Sequence, residues 1–115
     1  MKIKTSELTG SALDWAVAKA AGYTTSYLDL MYDIKSYDKF NPSTDWSFGG
    51  PIIEQEKIRL DCAWNPGPWK GSCKIDGVTA WVEGPTPLVA AMRCYVASKL
   101  GDEVKIPDQY ILSKE

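Results

Sequence analysis

No other stretch leaves the chain so few options as the one from Gly84 to Gly101, Gly-Pro-Thr-Pro-Leu-Val-Ala-Ala-Met-Arg-Cys-Tyr-Val-Ala-Ser-Lys-Leu-Gly. Thr86 can cap the first free amides, Pro87 suits the first helical position, and Gly101 can take the left-handed conformation that stops a helix. Leu88, Val89, Met92, Tyr95, Val96 and Leu100 recur at helical spacing and give one broad apolar side. Ala90, Cys94, Ala97 and Ser98 keep the opposite side small, so another backbone can approach there. Only Arg93 and Lys99 carry charge. A helix this apolar all round is a central one, covered from more than one direction.

The remaining elements arrange themselves about it. Residues 2–5 read as a short strand. A first helix follows, capped by Thr9, with Leu13, Ala16, Val17 and Ala20 on one face and Gly22 closing it. Its alanines match the small side of the late helix, so the two are expected to touch there, with Trp15 at the edge of the core. From Tyr23 to Asn41 the apolar alternation favours a strand, with a heavy load of tyrosine. Asn41 to Glu54, rich in Pro, Ser and paired Gly, reads as irregular chain with short helical turns starting at Ser43 and Pro51. Ile58, Leu60 and Cys62 alternate with Lys57, Arg59 and Asp61, which is the pattern of a half-buried strand. Cys73 and Ile75 before Asp76-Gly77, with Val78, Ala80 and Val82 after, signal a hairpin. Val104 and Ile106 add a last short strand. The expectation is an α+β fold, a small antiparallel sheet packed against two main helices, forming a single domain over residues 1–115.

Composition narrows the function by subtraction. The 115 residues contain no histidine, which removes Ser-His-Asp and Cys-His catalysis, histidine metal sites and the commonest general base. A net charge of -2 without a basic stripe speaks against nucleic acid as a partner. Cys62, Cys73 and Cys94 are odd in number and lack metal-ligand spacing, so they read as three buried thiols in a reducing cytoplasm. No stretch approaches the roughly 20 apolar residues that span a bilayer, so no membrane is expected. No cofactor and no metal are implied, and the chain reads as a nonenzymatic protein.

Six residues stand out as candidates for a ligand. Thr86 and the free amides after it form a helix start that can hold a phosphate, or Thr86 simply caps the helix. Gly49 and Gly50, ahead of Pro51, allow a ligand close to the backbone, as they also allow a tight turn. Trp46 sits in irregular chain where it can stack on a nucleobase while Asp45 accepts hydrogen bonds; the alternative is a tryptophan plug with Asp45 capping a turn. Arg93 offers a planar fork to phosphate, or pairs with an internal acid such as Asp45 or Glu54. Cys94 has no histidine to activate it. Trp64, Trp69 and Trp81 lie on or near the sheet; one can be core, but three suggest a face covered by a partner, of which a second subunit is one candidate.

Three blocks together resemble the NinX-like family of small temperate-bacteriophage proteins. They are Leu8-Thr9-Gly10 with Leu13 to Lys19, Pro42 to Trp46 with Gly49 to Glu54, and Gly84 to Leu88 through Gly101-Asp102-Glu103-Val104. The resemblance implies a phage accessory protein acting in the cytoplasm of an infected bacterium, and it brings no established catalytic residues. With the six candidates it leads to a binder that sequesters a small phosphorylated nucleotide-like ligand, such as a bacterial immune signal, as a homo-oligomer. The other expectation is a protein-protein adaptor or inhibitor that grips a host or phage protein through tryptophan and tyrosine.

Overall fold

A computed structural model describes residues 1–22, 40–62, 67–75 and 77–108. In chain order these give β1 (Lys2–Lys4), a 3-10 turn (Thr5–Glu7), α1 (Gly10–Ala20), α2 (Trp46–Glu56), β2 (Arg59–Cys62), β3 (Trp69–Ile75), β4 (Val78–Gly84), α3 (Pro87–Leu100) and β5 (Glu103–Lys105). The fold is α+β. Its strands form two antiparallel sheets, one of β2-β3-β4 and a smaller one of β1-β5. The strand expected between Tyr23 and Asn41 falls almost wholly outside the described residues, as does Trp64.

α3 is built as its punctuation dictates. Thr86 Oγ1 accepts from Val89 N at 3.1 Å, Pro87 occupies the first turn, and Gly101 ends the helix at φ 94°. Leu88 through Met92 are all buried, as are Cys94, Tyr95 and Val96. The helix packs against α1, α2 and the three-stranded sheet. Its small side, however, goes to the sheet. A Cβ on Gly84 would lie 2.6 Å from Ala90 N, and one on Gly71 would lie 3.0 Å from Ala90 O. Those two glycines let the sheet backbone settle on the helix, and the Cys73 thiol donates to the Cys94 carbonyl at 3.4 Å. α1 joins the same core through Leu13, Ala16 and Val17, all fully buried. Trp15, expected at the edge, is inside it at 4% exposure.

The hairpin is as the alternation predicts. Ile75 pairs with Val78, leaving a two-residue turn, and Gly77 takes φ 81° as such turns require. Two further expectations are corrected. Residues 46–56 are one continuous helix, because Asp45 caps it and Pro51 is accommodated within it. The three cysteines are not all buried: Cys94 is, Cys73 is partly covered, and Cys62 is exposed. Cys62 lies on β2, which is an edge of its sheet among the described strands.

Candidate functional site

The start of α3 and the start of α2 lie side by side, and the reason is a missing side chain. A Cβ on Gly49 would come within 2.6 Å of both Leu88 Cδ2 and Pro42 O. Only glycine lets α2 press against the first turn of α3 and against the loop that precedes α2. That loop is tied internally by Asn41, whose carbonyl accepts from Thr44 N at 3.1 Å and Asp45 N at 3.0 Å. Between the two helix starts is an open hollow of about 260 Å³, walled by Ser43, Thr44, Trp46, Thr86, Pro87 and Leu88.

The structure thus brings Trp46 and Thr86 together. Trp46 is 53% exposed, an uncommon position for so large an apolar ring. Thr86 uses its oxygen to cap Val89, Pro87 has no N–H, and the Leu88 N–H has no acceptor within the helix. Asp45 does what a cap does. Its Oδ1 accepts from Ser47 N at 2.9 Å and from Ser47 Oγ at 2.7 Å, and these bonds hold its pKa below the usual carboxylate value. Gly49 is spent on packing. Gly50 meets nothing closer than Trp46 Cε3 at 4.0 Å.

Arg93 is not at the hollow. Its Nε donates to Leu8 O at 2.7 Å and its Nη1 to Glu83 O at 2.8 Å, so the guanidinium staples the chain before α1 and the end of β4 to α3. Burial lowers its pKa, and the charge of Glu7 works the other way. The acid partner expected at Asp45 or Glu54 is replaced by these two carbonyls. Carbonyls drawn away from water need donors, and the five-donor fork supplies one to each.

One residue behind the hollow had no place among the candidates. Asp14, in the middle of α1, is buried, and its Oδ1 accepts from Ser43 N at 2.9 Å. Burial pushes its pKa up from 3.8 to about 6, with the Ser43 contacts holding it down. The Ser43 side chain lies near enough to lower that pKa, yet its buried hydroxyl finds no hydrogen-bond partner in proper geometry among the described residues. A charged residue inside the apolar Leu13-Asp14-Trp15 run was the available signal. The described residues contain no group of three or more acidic or cysteine side chains placed to hold a metal. No helix among them is long and apolar enough to cross a membrane.

The loop, the two helix starts and the helix-on-sheet core all fall within residues 4–99, the span matched by the family model described as Bacteriophage P22, NinX. The chain belongs to that phage protein family. No curated protein matches it.

Proposed function

We propose that this protein is a nonenzymatic phage accessory factor, at work in the cytoplasm of the infected host, that binds and sequesters a small phosphorylated nucleotide-like ligand. One observation carries the reading: the exposed Trp46 ring and the amide-bearing start of α3 flank the same hollow. A base stacks on the ring, and an anionic oxygen lies toward the Leu88 amide, where the helix dipole favours negative charge. Among the described residues the walls hold no titratable side chain, which suits a hollow that holds a ligand rather than one that transforms it. At about 260 Å³ it is smaller than the usual small-molecule cleft, and a second copy of the chain completes it.

Calorimetry with a panel of nucleotides and cyclic nucleotides tests this. Stoichiometric binding is expected, weakened about tenfold or more by Trp46→Ala, since stacking on one aromatic is worth about 1–3 kcal/mol. The recovered ligand should be chemically unchanged. Silence across the panel, or affinity indifferent to Trp46, refutes the reading. A second reading, a protein-protein adaptor, is favoured by the hairpin, where Val78 is 67% and Trp81 46% exposed. It predicts a stable complex with a host or phage protein that Trp81→Ala dissolves.

A further inference from the structure

At the other end of α3 lies a larger cleft, of about 520 Å³, between the C-terminal ends of α2 and α3 and the sheet. Four cations line it: Lys57, Arg59, Lys74 and Lys99. Against them stands one carboxylate, Glu56, which pairs with Lys99 at 3.5 Å. Lys57, Arg59 and Lys74 have no carboxylate within ion-pairing distance among the described residues. The two helix C-termini each contribute roughly half a negative charge. Four cations, one acid and two such termini leave a balance of about +2. Thr79 adds a hydroxyl-bearing side chain to the walls.

Two features show that this charge is placed rather than scattered. Arg59, Ser72 and Trp81 stand in one row across the three strands, and the Arg59 guanidinium lies over the Trp81 ring at 5.9 Å. That stack fixes the cation at the rim and covers Ser72, which is 2% exposed although it shares its sheet face with solvent-facing neighbours. Lys57 is the more telling. It caps α2 at φ 55° and ψ 46°, and it is the single non-glycine at positive φ among the described residues. Glycine or asparagine takes that position far more comfortably. A lysine there breaks the local rule, and it is one of the residues that line the cleft.

We propose that this cleft is a second anion site, which takes a small molecule bearing a phosphate or pyrophosphate group. Its volume is that of a small-molecule site, and its charge balance matches a doubly charged anion. It is separate from the hollow at Trp46, with which it shares no wall residue.

The test is titration calorimetry of the full chain with inorganic pyrophosphate at low salt, beside thermal melting. Wild type should bind saturably. Lys57→Gly should melt about 4 °C higher because the strain is gone, while binding pyrophosphate about tenfold more weakly because one cation is gone. Lys74→Gln should weaken binding to a similar degree. Lys105→Gln, which removes one positive charge from the other sheet, should leave affinity unchanged. Any of three outcomes overturns the proposal: no saturable binding, unchanged affinity in Lys57→Gly, or an equal loss in Lys105→Gln. A single-stranded oligothymidylate that binds through these lysines more tightly than pyrophosphate also overturns it, by making the surface a nucleic-acid track.

Discussion

Asp14 should make this protein less stable at neutral pH than in mild acid, and a single oxygen-to-nitrogen exchange should abolish that. The folded pKa, about 6, lies above the unfolded value of 3.8. Between those values the folded chain keeps a proton that the unfolded chain releases. The stabilisation is therefore complete below about pH 4, is lost as pH rises to about 6, and changes little beyond. At about 1.4 kcal/mol per pH unit, the displacement is worth about 3 kcal/mol. Asp14→Asn keeps an oxygen for Ser43 N, stays neutral at every pH, and offers an N–H to the unpartnered Ser43 hydroxyl. Urea unfolding of both proteins at several values from about pH 4 to 7.5 gives the comparison. The two should be close in stability at the acid end, and the asparagine variant should lead by about 2–3 kcal/mol at the neutral end. Other carboxylates titrate in both proteins and cancel in the difference. Parallel curves, or a wild type that gains on the variant as pH rises, would refute the claim that Asp14 is held charged against its surroundings.

The paired glycines should part company. Gly49→Ala drives a methyl into Pro42 O and Leu88 and should lower stability by about 1–3 kcal/mol. Gly50→Ala has open space around it, but the Pro51 ring disfavours a Cβ on the helical residue just before it, so the usual alanine gain of about 0.5–1 kcal/mol should be largely cancelled and stability should change little; chemical denaturation reads both. Arg93→Ala leaves the Leu8 and Glu83 carbonyls without their donor and should lower stability by about 2–3 kcal/mol. Ligand affinity at the hollow, measured on the folded fraction, should not follow that loss.

Signals that are local in sequence carried over into structure. Thr86, Pro87 and Gly101 bound α3 as capping chemistry says they should, and alternation from Cys73 to Val82 gives the hairpin and its register. What local reading misplaced depends on partners far along the chain. Gly49-Gly50-Pro51 looks like a helix breaker until Leu88 and Pro42 supply the reason for the first glycine. Arg93 looks like an ion-pair residue, but its acceptor is the carbonyl of Leu8, 85 positions away. Asp14 stands out in sequence only as a charge in an apolar run, and its role waits on Ser43, 29 positions on, which places its amide against the carboxylate. The adjacency of Trp46 and Thr86 was legible only as a guess, because the contact that brings them together involves neither of them.

The small sheet ties residues that are almost the whole chain apart. Lys2 pairs with Lys105, Thr5 Oγ1 donates to the Gly101 carbonyl 96 residues away, and Met1 and Ile106 bond reciprocally through their backbones. Closing so long a loop has an entropic penalty that rises by about 0.6 kcal/mol with each doubling of its length, and three ladder pairs with these flanking bonds offset it. The clasp rests on a few backbone bonds between segments far apart in sequence, and amide exchange should find it the first of the described strands to come undone.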